Sequence, residues 1–280
     1  MTRRPKLLDV TVCAADSAQP ALAARALELC LDRCDFADAI LFSDQPVTGR
    51  FRQVAIEPLK SLDDYSRFCL RDMARLVETE FALVIQWDGY VIDPEAWTNA
   101  FLKYDYVGAV MYPKEGGALV GNGGFSLRSR KLMAALANFP VIAGTPEDWA
   151  ISSVYRVGLE RDFGIRFAPV EVAERFSYEV KAPQRSTFGF HGPPNFWRHE
   201  SDEEILRIYR ALPKGALSSM PFFGLIVVSL RNNRHALAAA LYEMVRSEKS
   251  SDAILAQMTR WMPASVATPA IAALEAGRRG

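Results

Sequence analysis

The stretch Phe81 to Val91, FALVIQWDGYV, constrains this chain more than any other. Five apolar residues in a row, Phe81 to Ile85, read as a strand buried on both faces, the kind found inside a parallel sheet. The run then meets Gln86-Trp87-Asp88-Gly89. In open α/β sheets, ligands sit outside the carboxyl ends of the strands. A carboxylate there can hold a hard divalent cation, which can in turn hold the phosphates of a nucleotide. Asp-Gly is also a common turn dipeptide, so a plain turn is the second reading of the same residues.

The segments before it alternate in period. Leu7 to Ala14 reads as a strand, Gln19 to Cys34 as a helix with Leu22, Ala26, Leu29 and Cys30 on one face, and Ala37 to Phe42 as a second strand. Phe51 to Ile56 is a short third strand, closed by Pro58, and Leu62 to Glu78 is a long amphipathic helix with Phe68, Leu70, Met73, Leu76 and Val77 as core. This alternation predicts an α/β fold with a parallel sheet. Asp16 and Asp44 follow the first two strands as Asp88 follows the fourth. Each can line a nucleotide pocket or simply cap a turn, the commoner use of aspartate there.

Beyond Asp88, Asp93-Pro94-Glu95 is a helix-start signal. Tyr104 to Tyr112 returns as a strand, Gly116 and Gly117 open a loop, and Gly121-Asn122-Gly123-Gly124 follows. Three glycines in four positions allow close approach of a ligand to the main chain. Phe125-Ser126-Leu127 after them is strand-like, so this is no dinucleotide fingerprint, and the alternative is a tight hairpin. Lys131 to Ala137 reads as a short helix. Thr145-Pro146-Glu147-Asp148 fits a helix start, with Thr145 as cap, Pro146 at the first position and two acids in the first turn. A carboxylate fixed there, near a glycine-rich loop, is also placed to act as a general base. Ile165 to Val172 reads as a strand interrupted by Pro169. His191, among glycines and aromatics, is a metal-ligand candidate or a plain loop histidine.

From Ser201 the pattern turns helical: Glu203 to Leu212, a linker over Gly215 to Met220, then His235 to Arg246 and Ala253 to Met262. The expected division is 1–200 for the α/β domain and 201–280 for a helical extension, with a frayed end at Arg278-Arg279-Gly280. Composition narrows the partners. Lys plus Arg and Asp plus Glu both total 33 in the 280 residues, so no charge excess points to nucleic acid. Cys13, Cys30, Cys34 and Cys69 follow no zinc spacing and read as buried thiols in a reducing compartment. Met1 to Lys6 is basic, but the apolar run behind it is broken at Asp9, unlike a secretory leader. No segment reaches the roughly 18 apolar residues of a transmembrane helix. A cytoplasmic protein is expected. Peripheral contact with the inner face of the membrane stays open through the C-terminal helices, where Pro221 to Leu230 is the most apolar run.

Five motifs in order, QWDGYV (86–91), VGNGGFSLRSRKL (120–132), PED (146–148), RFAPVEVAERFSYE (166–179) and FGFHG (188–192), resemble a bacterial and fungal family of glycosyltransferase-like domains. The likeness covers about residues 7–195. It implies a GT-A-like, Rossmann-type mixed sheet flanked by helices, with a nucleotide-binding half and an acceptor-binding half. Asp88 would stand at the metal-binding aspartate of a D-x-D motif, although Gln86 replaces the first acid. His191 would complete the shell of a divalent cation, Mn²⁺ or Mg²⁺. Gly123 and Gly124 would let main-chain amides approach the sugar, and Asp16 and Asp44 would line the donor pocket. The Glu147-Asp148 pair is similar to that of inverting enzymes, with Asp148 as the base. Arg128 or Arg175 would neutralise a diphosphate in the absence of metal. The implied activity is transfer of a sugar from a nucleoside diphosphate, a uridine diphosphate sugar in the first instance, to a hydroxyl of a glycan, a lipid-linked glycan or a protein. The alternative is a non-catalytic nucleotide-sugar or glycan-binding module with a lapsed metal site.

Overall fold

The computed structural model describes residues 4–113 and 117–277. Gly116 and Arg278-Arg279-Gly280, named above, lie outside them. The chain forms two compact units, the first ending at His191 and the second beginning at Gly192.

The first unit opens with β1 (Lys6–Ala15), α1 (Pro20–Leu31), β2 (Asp35–Ser43) and β3 (Arg52–Ala55). Then come α2 (Leu62–Arg67), β4 (Phe81–Ile85), β5 (Tyr106–Gly108), β6 (Val110–Met111), β7 (Leu119–Val120) and β8 (Phe125–Ser129). The main sheet has six strands in the order β3-β2-β1-β4-β8-β5. β1 pairs in parallel with β2 and β4, and β2 with β3, while β8 runs antiparallel to both β4 and β5. The expected α/β class is therefore observed, as a mixed sheet. β4 is central, and Ala82 to Ile85 are buried as an uninterrupted apolar run requires.

One side of the sheet packs against the segment after Ser61. Ser61 caps α2 by accepting from the Asp64 amide. The helical path then continues through a π-helical turn over Phe68–Asp72 and a 3₁₀ turn over Met73–Arg75, so the expected single helix changes its winding twice. Its apolar side chains still converge: Phe68, Cys69, Met73 and Val77 join Cys13, Ile40, Phe42 and Val84 in one core cluster. All four cysteines are buried and free.

The first unit finishes with α3 (Arg130–Leu136), α4 (Glu147–Trp149), α5 (Arg156–Phe163), α6 (Val170–Phe176), β9 (Ser177–Tyr178) and β10 (Gly189–Phe190). Three expectations are corrected here. The strand read over Tyr104 to Tyr112 breaks after Gly108, and β6 pairs with β7 in a separate sheet. Ile165 to Val172 is not a strand: Phe167 makes one bridge to Tyr106, and Pro169, which cannot donate to a ladder, starts α6 instead. In VEVAERF the buried residues are Ala173 and Phe176, three apart on one helical face. Thr145 does not cap α4. Pro146 takes the cap position, without a side-chain hydrogen bond, and Ser66 Oγ donates to the Thr145 carbonyl.

The second unit holds α7 (Asp202–Ala211), α8 (Met220–Arg231), α9 (His235–Arg246), α10 (Ser251–Met258) and α11 (Ala264–Gly277). The expected linker before α8 is a 3₁₀ turn over Lys214–Ser218, after which Ser219 caps α8. Phe222, Phe223, Leu225, Ile226 and Val227 are fully buried, so this run supplies the core of the helical unit rather than an apolar surface for a membrane. Among the described residues, no helix is long and apolar enough to cross a membrane.

Candidate active site

The ends of β1 and β4 meet the start of β8 at one edge of the sheet. After Ile85 the chain makes a tight turn in which the Gly89 amide donates to the Gln86 carbonyl, so the turn reading of Asp88-Gly89 holds. The turn also turns Asp88 inward, to 7% exposure. The Gln86 amide donates to the Gly124 carbonyl at 2.8 Å, which joins this turn to the glycine-rich loop.

That loop is pinned from behind. Tyr106 donates its hydroxyl to the carbonyls of Gly121 (2.7 Å) and Asn122 (3.1 Å). Gly123 and Gly124 are then required by close approach. A Cβ on Gly123 would lie 2.5 Å from Glu147 Oε1 and 2.7 Å from Asp148 Cβ. One on Gly124 would lie 2.1 Å from His191 Nε2. The pair of glycines is thus held between two side-chain groups, one from each flank.

On the first flank, Asp148 Oδ2 accepts from the Gly123 amide at 3.1 Å, and Oδ1 from the Trp149 amide at 2.7 Å. Its pKa is pushed up to about 6, first by burial and then by the Glu147 charge beside it. Glu147 itself is 4% exposed. Its Oε1 accepts from Arg128 Nη2 at 2.8 Å. Arg128, wholly buried in β8, also donates to the Gly123 carbonyl (3.2 Å) and to Ser126 Oγ (3.0 Å). The Glu147 carboxylate is therefore committed to an internal ion pair, which leaves Asp148, of the two acids beside the loop, as the candidate base. The same burial corrects the reading of Arg128 as a diphosphate partner, since its guanidinium does not reach solvent. Arg175 is exposed and lines a separate cavity near Glu179.

On the second flank stands His191, just after β10. An aromatic cluster fixes this segment, with Phe188 packed on Trp97, Phe125 and Phe176 and with Phe190 on Tyr90. His191 Nε2 lies 3.1 Å from Gln86 Oε1 and 3.3 Å from Asp88 Oδ1, and Nδ1 lies 3.2 Å from Glu179 Oε1 and 3.1 Å from Asn122 Nδ2. Burial works against charge on the ring, but the Asp88 and Glu179 carboxylates outweigh it and hold the imidazolium well above its ordinary range. Asp88 Oδ1 is buried, and its partner is the His191 ring at 3.3 Å. A buried carboxylate oxygen beside an imidazole whose far nitrogen meets a carboxylate is a donor set that suits a divalent cation. Among the described residues, however, no three His, Cys, Asp or Glu side chains group as a metal cluster. Among the described residues, Asp88, His191 and the Gln86 amide oxygen are the candidates for a partial shell.

Between the ends of β1 and β4 lies a cavity of about 410 Å³, lined by Asp16, Ser17, Lys60, Tyr65, Gln86 and Trp87 among others. Asp16 Oδ1 accepts from the Ala18 and Gln19 amides, which closes the turn before α1 without capping the helix, and the residue also lines the cavity. Burial raises its pKa, with a contribution from the Asp88 charge. Asp44 is exposed beyond β2 and does not line this cavity. Sequence reasoning gave no role to Asn122, Glu179 or Tyr106. The first two lie inside motifs already quoted, but a side chain that orients another side chain leaves no periodic or spacing signal.

A mixed α/β sheet with a polar site at the carboxyl ends of β1 and β4 belongs to the broad class of α/β ligand-binding folds. Residues 48–191 match the family described as "Protein of unknown function (DUF5672)", and the chain belongs to that family. No curated protein matches the chain. The chain is similar in structure to a glycosyltransferase involved in the glycosylation of the major capsid of PBCV-1, at TM-score 0.41 and 16% identity over 65% of this chain and 91% of that one. It is also similar to the galactosyltransferase LgtC in complex with donor and acceptor sugar analogs, at TM-score 0.42 and 14% identity over 72% of this chain and 96% of that one.

Proposed function

We propose that the chain is a glycosyltransferase that moves a sugar from a nucleoside diphosphate, a uridine diphosphate sugar in the first instance, to an acceptor hydroxyl. The observation that carries this reading is the clamp on Gly123-Gly124, with Asp148 bonded to the amide of one glycine and the His191 ring against the other. Transfer needs a base for the attacking hydroxyl and a site for the charge that develops on the leaving diphosphate. The two flanks of one loop offer both. Asp148 takes the acceptor proton, and the acceptor oxygen bonds to the anomeric carbon. The bond from that carbon to the diphosphate oxygen breaks, and its electron pair leaves with the diphosphate. One displacement of this kind inverts the anomeric centre.

Asp88 and His191, with Gln86, would hold a divalent cation whose remaining positions are open to diphosphate oxygens, as Mg²⁺ sites commonly leave them. When bound, the cation would supply charge neutralisation at the leaving group. The cavity beside Asp16 and Lys60 would take the nucleoside, with Tyr65 and Trp87 as aromatic walls. Gly123 and Gly124 let the main chain approach the sugar.

A second reading, a nucleotide-sugar or glycan-binding module without turnover, is favoured by one feature. His191 is already satisfied by Gln86 and Glu179, and Gln86 is a weaker cation ligand than an acid. Thermal shift with uridine diphosphate, with and without Mn²⁺, tests the donor site in both readings, since a ligand that binds the native state raises its melting temperature. The expected result is a Mn²⁺-dependent rise in the wild type that disappears in Asp88→Ala. No rise with any nucleoside diphosphate defeats the donor assignment. A rise without turnover of any sugar donor selects the binding module.

A further inference from the structure

A polar cavity in the first unit has no part in the donor cavity or the glycine clamp. It encloses about 480 Å³ near β9 and α6, a size suited to a small molecule. We propose that it is the acceptor site, and that the acceptor presented there is an uncharged polyhydroxyl ligand, a sugar. The identification as acceptor rests on the glycosyltransferase reading. The chemical class rests on the cavity itself.

Three observations point to it. The first is an unused hydroxyl. Ser177 lines the cavity at 1% exposure, and its Oγ has no hydrogen-bond partner among the described residues. A buried hydroxyl without a partner is destabilising, and a ligand hydroxyl relieves it. The second is balanced charge. Glu171, Glu174 and Glu179 face Arg175, Lys181 and Arg185 around the same space. Among the described residues, Glu171, Glu174, Arg175 and Arg185 are in no ion pair. A nucleotide or phosphate would be met by a surplus of cations, which this wall lacks. Two carboxylates and two guanidinium groups outside any ion pair, Glu171, Glu174, Arg175 and Arg185, suit a ligand rich in hydroxyls. Lys181 Nζ lies 3.6 Å from the centroid of Tyr112, so the ring and the ammonium form one fixed piece of the wall.

The third observation connects this cavity to the chemistry. Glu179 is part of its wall, and Glu179 Oε2 accepts from Asn122 Nδ2 at 3.0 Å. The next residue, Gly123, donates its amide to Asp148 at 3.1 Å. Consecutive residues lie only about 3.8 Å apart at Cα. The cavity wall and the base therefore hang from neighbouring positions of one loop. In this proposal a sugar seated against Glu179 and Ser177 would turn one hydroxyl toward Asp148, the base of the proposed transfer.

The test is saturation-transfer NMR on the full chain with the methyl glycosides of glucose, galactose, mannose and N-acetylglucosamine, and with lactose, each with and without uridine diphosphate. The variants are Ser177→Val and the exposed pair Glu174→Ala/Arg185→Ala, which keeps the charge balance and spares the fold if Ser177→Val does not. At least one saccharide is expected to bind the wild type, to weaken tenfold or more in the double variant, and to stay bound when uridine diphosphate is added. The nucleotide-induced rise in melting temperature should be unchanged in the double variant. Binding of no saccharide, equal binding by wild type and variants, or displacement of the saccharide by uridine diphosphate overturns the proposal. Saccharide binding that depends on Glu174 and Arg185, in a protein that no nucleoside diphosphate stabilises, supports the sugar site and defeats the glycosyltransferase reading.

Discussion

The two flanks of the Gly123-Gly124 loop hold similar side chains and treat them differently. On one flank, Arg128 neutralises Glu147 deep in the protein, and Asp148 is left with only backbone partners among its hydrogen bonds. On the other, Asp88 and Glu179 share the His191 ring, and charge is spread along a chain of side chains. The first arrangement raises one carboxylate toward neutrality and suits proton transfer. The second gathers two carboxylates around one imidazole and suits a cation. The two flanks differ because one acid sits beside another acid, while the other sits beside an imidazole.

The largest difference between the flanks should appear in turnover. Asp148→Asn removes the proton acceptor, and its one amide oxygen can keep only one of the two contacts, to Gly123 or to Trp149, so sugar transfer is expected to fall by about 10²–10⁴-fold. Nucleotide-induced stabilisation should stay near the wild-type value, because the second flank is untouched. In the wild type, turnover should rise with pH through about 6, where the Asp148 carboxyl loses its proton, and this limb should vanish in the variant. The fold responds with the opposite sign. Asp148 holds its proton more tightly in the native protein than at its ordinary value of 3.8, so its contribution to stability is lost as pH rises from about 3.8 to about 6. Equal turnover in Asp148→Asn and wild type would remove the base from this flank.

The next effect is structural and confined to the same flank. Arg128→Met leaves Glu147 buried without its cation, a change that typically costs about 3–5 kcal/mol. Urea denaturation measures it. Adding Glu147→Leu should restore most of the loss, since a buried ion pair replaced by apolar groups is often neutral or stabilising. If the double variant recovers stability but Asp148 loses its acid limb near pH 6, the ion pair sets the behaviour of the base as well as the fold. A loss well under 1 kcal/mol in Arg128→Met would mean that Glu147 is not held as described.

How much of this the sequence carried can be judged residue by residue. FALVI is legible because a strand buried on both faces must be apolar throughout, and Asp88 at its end follows from where such folds bind ligands. The glycines at 123 and 124 are legible as close approach, but not what approaches them. The approaching groups come from Asp148, 25 positions after Gly123, and from His191, 69 positions after Asn122. Glu147 and Asp148 look alike in sequence, both explained by a helix start. Only burial separates them, and burial depends on Arg128, a residue in a strand whose alternation would have assigned it to either face. The α6 segment fails for a local reason. IRFAPVEV has strand composition, and only the proline's missing N–H and the later Ala173 and Phe176 spacing favour a helix.

The smallest effect bears on Asp16, the residue whose two readings coexist in the structure. Its Oδ1 closes the turn before α1 by accepting from the Ala18 and Gln19 amides, yet the side chain also lines the cavity assigned to the nucleoside. Asp16→Ala should lower stability by about 1 kcal/mol, the usual net worth of such hydrogen bonds. Asp16→Asn should restore it, because an amide oxygen accepts the same two bonds. Both bonds run through a single oxygen that asparagine reproduces, so the Asn variant is expected to keep the nucleotide response of the wild type. The two variants together separate shape from charge. If Asp16→Asn folds as the wild type but no longer responds to uridine diphosphate, the carboxylate charge acts on the ligand directly. The polar edge of the sheet would then extend from the Asp88 flank across to β1, and the turn hydrogen bonds to Ala18 and Gln19 would be what holds that carboxylate in place.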